Sequence, residues 1–235
     1  MATRRFYCPD LSPSSLTLDD EQGSHARRSL RLSAGDAVEL FDGAGEIAEG
    51  RVAEVKKRVS IDIVQRRQAP RLSPVIDLAV ALPKGARADV LIEKASELGA
   101  DRVIPLITQR SVVEPRDSKM RRFDRLCIES AKQCGRAYLM QIDEPTPLSD
   151  VITRADHDLK WIADTSLAGE SVHKMPSGTG PGERVIVLIG PEGGWTDTER
   201  QAARDAGFTP QRLGPHVMRI ETAALAAVAI CRRES

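Results

Sequence analysis

Residues 185–207 read VIVLIGPEGGWTDTERQAARDAG. Val185 to Ile189 is a run of mostly β-branched residues, the composition of a strand buried on both faces. Gly190, Pro191, Gly193 and Gly194 break it. Thr196 and Glu199 then stand at capping-box spacing, which predicts a helix from Asp197 to about Ala206 that stops at Gly207. Strand, glycine turn and capped helix in one stretch define an α/β unit.

The same texture extends outward on both sides. Val75 to Leu82 predicts a buried strand, and Ala88 to Leu98 a helix closed by Gly99. Val103 to Ile107 is a second strand and Lys160 to Ala163 a short third one. Arg121 to Gln133 is an amphipathic helix with Phe123, Leu126, Cys127, Ser130, Ala131 and Cys134 on its apolar face and a basic opposite face. A short strand covers Pro210 to Leu213. Thr222 to Arg233 is apolar nearly all round, hence a buried helix. Before residue 70 the pattern is different. Asp36 to Phe41, Ile47 to Val55 and Val59 to Val64 alternate around turns, as in a small barrel or compact sheet. Pro70 and Pro74 mark a linker. Ala168 to Glu183, rich in Gly, Pro and Ser, reads as a mobile loop.

Composition narrows the function. The 235 residues carry 34 Lys+Arg and 34 Asp+Glu, a formal net charge of zero, so no general basic coat is present. Charge is nevertheless segregated. Arg102–Arg136 holds nine basic and four acidic residues, net +5, and is where a polyanion would land. Leu139–Glu183 is net −5. Aromatics are 3%, too few for a base-stacking sheet. Cys8, Cys127, Cys134 and Cys231 form no C-x-x-C pair and have no histidine at zinc spacing, so no metal site is expected. Cys127, Cys134 and Cys231 fall in apolar patterns and are expected in the core. Free thiols, no signal-like N-terminus and no apolar run long enough to span a membrane point to the cytoplasm.

Four segments carry the candidate chemistry. Ile189–Trp195 (IGPEGGW) sits at the carboxyl end of a strand, where open α/β sheets bind ligands, yet it matches neither a P-loop nor a dinucleotide fingerprint. It is either a ligand loop or a plain tight turn. Leu213–Ala223 (LGPHVMRIETA) brings Arg219, Glu221 and Thr222 to the start of an apolar helix, and polar groups there need partners or a purpose. Glu221 or Thr222 can serve as a helix cap. Lys84 and Arg87 follow a strand end, while Glu93, Lys94 and Glu97 fit ordinary helix-surface pairs. Gln133 and Arg136 end the basic helix.

In this order and combination, the segments resemble the SPOUT-class methyltransferases, and most closely the ribosomal RNA small subunit methyltransferase E family. The likeness rests on GPEGG before a helix with an early Glu and on LG followed by R-x-ETA. Ser96 to Pro105, Lys132 to Arg136, Arg4 to Tyr7, His25 and the DAVELFDGAG stretch match as well. Lys132-Gln133-Cys134-Gly135-Arg136 departs from the usual E-Q-S-x-R, and Val217-Met218 replaces an isoleucine-leucine pair.

The resemblance implies an α/β protein with a PUA-like β-barrel over residues 1–70 and a SPOUT domain over 75–235 that ends in a deep trefoil knot. It implies a homodimer that uses S-adenosylmethionine to methylate N3 of a uridine in small-subunit (16S) ribosomal RNA, on the assembled 30S subunit. Carried over by position, the donor pocket would be Ala163, with Asp164 as a further wall, then Ile189, Gly190, Pro191, Glu192, Gly193, Gly194, Leu213, Gly214, His216, Val217, Met218, Arg219 and Thr222. RNA contacts would come from Arg4, Arg5, Arg27, Arg28, Arg31, Lys84, Arg87, Arg110, Gln133 and Arg136. Neutral N3 carries a proton, so the reaction needs a base or a cation that stabilises the anion. Arg136 and Arg219 are the cation candidates and Glu221 the base candidate, with pairing to Arg219 as its simpler role. Competing readings are a SPOUT enzyme with another RNA target, a non-catalytic RNA-binding assembly factor, and a nucleotide-binding enzyme.

Overall fold

A computed structural model describes residues 4–111, 117–165 and 182–232. The chain forms two compact units, Met1–Arg71 with Ala131–Leu139, and Leu72–Ser130 with Met140–Ser235.

In the first unit, β1 (Arg5–Tyr7), β2 (Ser15–Thr17), β3 (Ala37–Phe41), β4 (Glu46–Val55) and β5 (Val59–Gln68) form one sheet in the order β1-β3-β4-β5-β2. Its long hairpin is β4–β5, and β1 joins β3 in parallel. The register shifts at Glu49/Gly50 and Val52/Glu54, which curls the sheet. Gly50 is needed at that bulge, because a Cβ there would sit 2.5 Å from the Ile61 Cγ2. Among the described residues β1 and β2 pair with β3 and β5 but not with each other. The expected barrel is therefore a curled open sheet. The core is Phe6, Leu11, Leu40 and Ile61, with Ala26 from α1 (Asp20–Arg28). Asp19 caps α1 by accepting from the Gln22 N–H at 2.7 Å.

Ala131–Leu139 clusters with this unit. Ala131 and Ala137 pack with Phe41 and Ile47, and the Tyr138 hydroxyl donates to the Ala69 carbonyl at 3.1 Å. Arg5, expected on an RNA-facing surface, is only 8% exposed. Its Nε lies 2.7 Å from Glu39, one Nη donates to the carbonyls of Ala131 and Arg136, and its guanidinium stacks over Phe41. Burial lowers the Arg5 pKa, and the Glu39 carboxylate opposes that shift.

The second unit contains β6 (Val75–Val80), α2 (Ala86–Leu98), β7 (Arg102–Ile107), α3 (Asp117–Cys134), β8 (Gln141–Ile142), β9 (Thr146–Pro147), α4 (Leu148–Arg154), β10 (Leu159–Ala163), β11 (Arg184–Ile189), α5 (Asp197–Asp205), β12 (Thr209–Gln211) and α6 (Ile220–Cys231). The last four residues of α3 belong to the first unit. Strand order is β12-β10-β11-β6-β7-β8, with β9 also on β7, and every pairing is parallel. Alternation along the strands explains why both faces are covered. Ile76, Leu78 and Val80 of β6 and Val185, Val187 and Ile189 of β11 share a core with α2 and α6. Ala79, Ile186 and Leu188 point the other way, into a second core with Leu148, Val151, Ala203 and Phe208 of α4 and the α5 region.

The amino ends of the strands carry a buried charge cluster. Asp77, 1% exposed, lies 2.8 Å from the His157 Nε2, 3.5 Å from the Arg102 Nε and 3.7 Å from an Arg184 Nη. Beside it Asp101 accepts from the Ile76 N–H at 2.9 Å and from Arg232 at 2.6 Å. Arg232 also donates to the carbonyls of Gly99 and Pro74, so the end of α6 is clamped to the start of β6. Cys134 is exposed, contrary to the core position expected of it, because it ends α3. The loop expected at 168–183 lies outside the described residues except for its last two.

Candidate active site

The carboxyl ends of three adjacent parallel strands, β10, β11 and β12, release three loops around one cleft of about 760 Å³. That volume suits a small-molecule ligand. Ala163–Thr165 follow β10, Ile189–Trp195 follow β11, and Gln211–Ile220 lead from β12 into α6.

The β11 loop owes its path to Trp195. Its indole is 3% exposed and donates from Nε1 to the Ala163 carbonyl at 2.8 Å, which ties the β11 loop to the end of β10. A Cβ on residue 190 would lie 2.8 Å from the indole Cε2, so glycine is required there. Gly194 turns the chain at φ +68°, a left-handed value that favours glycine. The predicted capping box then starts α5. Thr196 accepts from the Glu199 N–H at 3.2 Å, and Glu199 accepts from the Thr196 N–H at 2.8 Å. Buried Glu199 also accepts from the Gln109 N–H at 2.9 Å, anchoring the loop after β7.

Charged groups rim the cleft. Asp164 is buried and sits 3.1 Å from the Arg200 Nε. Arg87, at the start of α2, lies 2.6 Å from Glu192 and 3.8 Å from Glu221. Its hydrogen bond to Glu192 raises the Arg87 pKa above the ordinary arginine value. Arg212 donates to the carbonyls of Gly214 and Pro215 and so braces the β12 loop. The floor is apolar, with Ile189, Leu213, Met218, Ile220 and Ala223.

Of the fifteen residues expected around the donor, all but Gly193 and Thr222 line this cleft. The Gly193 carbonyl instead accepts from Arg110 at 2.6 Å, and Thr222 is exposed on α6. Neither Glu221 nor Thr222 caps that helix. Its N-cap is Arg219, without a side-chain cap bond, and the ion-pair partner of Glu221 is Arg87 rather than Arg219. Arg136 lies in the first unit, where its Nε donates to the Tyr138 carbonyl. Several expected RNA-facing cations are engaged within the chain. Arg4 pairs with Asp36 at 2.6 Å, Arg27 donates to the Lys57 carbonyl, and Arg110 and Arg87 are held as described. Arg28, Arg31, Lys84 and Gln133 are exposed. Trp195, Arg200 and Arg212 had no assigned role in the sequence. Trp195 stood within the glycine loop, where a large aromatic beside three glycines is the available clue.

A family model described as an RNA methyltransferase domain matches residues 71–232, and an RNA methyltransferase PUA domain matches residues 18–64. Ribosomal RNA small subunit methyltransferase E from Synechocystis is 28% identical over 97% of this chain and 77% of that protein. The chain belongs to the ribosomal RNA small subunit methyltransferase E family. Two solved relatives extend the likeness to three dimensions. A putative methyltransferase from Legionella pneumophila in complex with bound S-adenosylmethionine is 32% identical, over 99% of this chain and 98% of that one, with a TM-score of 0.87. The family member from Neisseria gonorrhoeae, also bound to S-adenosylmethionine, is 28% identical over 97% and 96% of the two chains, again with a TM-score of 0.87. Among the described residues there is no metal-ligating cluster of three or more His, Cys, Asp or Glu, and no helix long and apolar enough to cross a membrane.

Proposed function

We propose that this member of the family transfers a methyl group from S-adenosylmethionine to N3 of a specific uridine in small-subunit ribosomal RNA, acting as a cytoplasmic homodimer on the assembled 30S subunit. The observation that carries the reading is the cleft. Its glycine loop, its β12–α6 loop and its β10 end come together at the carboxyl ends of three adjacent strands. The residues fit a donor with a flat aromatic ring system and a charged tail. Ile189, Leu213 and Met218 offer the apolar floor, Gly190 and Gly194 allow backbone approach, and Glu192 and Arg87 supply a charged rim. We further propose, from the resemblance alone, that the C-terminal part is threaded as a deep trefoil knot.

When bound, the donor supplies a methyl group on a sulfonium, which a nucleophile takes by direct displacement. What remains for the protein is alignment and proton removal. Arg219, which lines the cleft and is exposed, is proposed to stabilise the uridine anion; Arg136, in the first unit, is kept as a separate cation candidate. Glu221, half-buried, is proposed to accept the N3 proton. Arg28, Arg31, Lys84 and Gln133 are the proposed RNA contacts with exposed side chains. Since N3 is buried in a Watson–Crick pair, the target must be unpaired or flipped.

The test is methyl transfer from labelled S-adenosylmethionine to 30S subunits lacking the modification, followed by nucleoside analysis. Label in 3-methyluridine is expected. Label in another nucleoside moves the target, and absence of both transfer and donor binding leaves an RNA-binding assembly factor.

A further inference from the structure

Beside the cleft lies a crevice of about 80 Å³. The two share Pro191, Glu192 and Ile220. Ala81–Lys84, at the carboxyl end of β6, and Ser111 complete the crevice. A space this size holds several water-sized groups or the edge of one planar ring.

The cations around it sort by subtraction. Arg87 is held by Glu192, Arg110 by the Gly193 carbonyl, Arg200 by Asp164 and Asp197, and Arg212 by two loop carbonyls. Lys84 lines the crevice and Arg219 lines the cleft just before Ile220. Among the described residues neither side chain has a hydrogen-bond or ion-pair partner. The local backbone points the same way. α2 starts right after Lys84 and α6 right after Arg219, and neither N-cap, Gly85 or Arg219, supplies a side-chain acceptor. α1 and α5, by contrast, are capped by Asp19 and Thr196. The positive ends of the two helix dipoles reinforce the two cations, so negative charge arriving here is stabilised.

We infer that the crevice receives the edge of the target base and that Lys84 is a catalytic residue, its ammonium meeting a carbonyl oxygen of the uracil ring as N3 loses its proton. This rests on the N3 methylation proposed above. The proton passes from N3 to the acceptor proposed there, Glu221. The negative charge left behind spreads over N3, O2 and O4, and Lys84 stabilises it at oxygen. The N3 electron pair then forms the bond to the donor's methyl carbon as the carbon–sulfur bond breaks and its pair returns to sulfur. Arg87, placed beside Lys84 in sequence and expected to contact RNA with it, is instead engaged by Glu192.

The experiment is single-turnover methylation of unmodified 30S subunits by the full-length protein, its Lys84→Gln variant and its Lys84→Arg variant, from about pH 6 to about pH 10. Donor affinity is measured alongside by calorimetry. Lys84→Gln is expected to bind the donor as the parent does and to lose about 100-fold in rate near neutral pH. Without the cation the bound N3–H is harder to ionise, so the pH–rate profile moves upward in pH and the deficit shrinks as pH rises. Lys84→Arg keeps most of the rate. A loss that is uniform across pH, with weaker RNA binding and a shallower salt dependence, makes Lys84 a phosphate contact and overturns the inference. An unchanged rate, or loss of donor binding, overturns it equally. If the parent protein methylates no uridine N3, the reading beneath the inference fails first and is seen to fail in the parent.

Discussion

Replacing Gly190 with alanine tests whether the cleft wall is built around Trp195. Gly190 is not at positive φ, so alanine there would ordinarily stabilise the fold by about 0.4–1 kcal/mol through the unfolded chain. The added Cβ, however, would lie 2.8 Å from the indole Cε2 and 3.1 Å from Cδ2 and Nε1. Carbon–carbon contacts are comfortable from about 3.5 Å, so the ring must withdraw by about 0.7 Å. It is packed against the core that contains Ile162, Leu188, Ala203 and Phe208, and its Nε1 bond to Ala163 begins at 2.8 Å. Withdrawal along that direction stretches the bond to the edge of hydrogen bonding. Overpacking of about 1–3 kcal/mol and a weakened bond of about 1 kcal/mol together outweigh the entropic gain of about 0.4–1 kcal/mol, for a net loss of about 1–3.5 kcal/mol. At about 2–4 °C per kcal/mol, Tm falls by roughly 2–14 °C. The protein's two tryptophans, Trp161 and Trp195, both belong to the second unit, so their fluorescence follows that unit alone. Donor affinity should fall with it, because the displaced indole disturbs both the β10 end and the β11 loop. A Trp195→Leu background should reduce the penalty of Gly190→Ala, a coupling expected only of residues in contact. A Tm for Gly190→Ala equal to or above that of the parent would refute the reasoning.

Other expectations follow from the same structure. Asp77→Ala removes the only carboxylate shared by His157, Arg102 and Arg184 among the described residues and should destabilise the second unit by about 3–5 kcal/mol, read by urea denaturation. Glu199→Ala leaves the N–H groups of Thr196 and Gln109 without their acceptor and should cost about 2–4 kcal/mol by the same measurement. Arg5→Ala should lower the stability of the first unit while leaving the salt dependence of RNA binding unchanged, whereas Arg28→Ala should make that dependence shallower, as titrations at several salt concentrations will show. Alkylation of the folded protein near pH 8 should label Cys134 first. Burial pushes the Cys8 thiol up to about 11 and the Cys231 thiol up to about 12, and Cys127 is buried, which peptide mapping by mass spectrometry can verify.

The parts of the fold that were legible are those in which local chemistry and burial agree. VIVLI is a strand because both of its faces are covered, and the Thr196–Glu199 box is written within four residues. Gly99 ends α2 at φ +95°, as its placement predicts. The missed elements depend on distant partners. β8 and β9 are two-residue strands that exist only against β7, and α1 buries just Gly23 and Ala26 along a polar face. Arg5 reads as surface because its partners, Glu39 and the carbonyls of Ala131 and Arg136, are tens to more than a hundred residues away. The site divides in the same way. The cleft loops were visible as motifs, while the pairing of Glu221 with Arg87, across 134 positions of sequence, is a product of α2 meeting the start of α6.

The Arg232 clamp has a consequence for biosynthesis. β6 is among the first pieces of the second unit to be translated, yet its neighbour β11 and its covering helix α6 are among the last. The bonds from Arg232 to Pro74, Gly99 and Asp101 close a circuit of more than 150 residues. A nascent chain must therefore carry β6 with part of its apolar surface uncovered until β11 and α6 have been synthesised. The parallel unit is thus completed late and exposes apolar surface during that interval, whereas the strands of the curled sheet, from β1 to β5, are made before β6 begins.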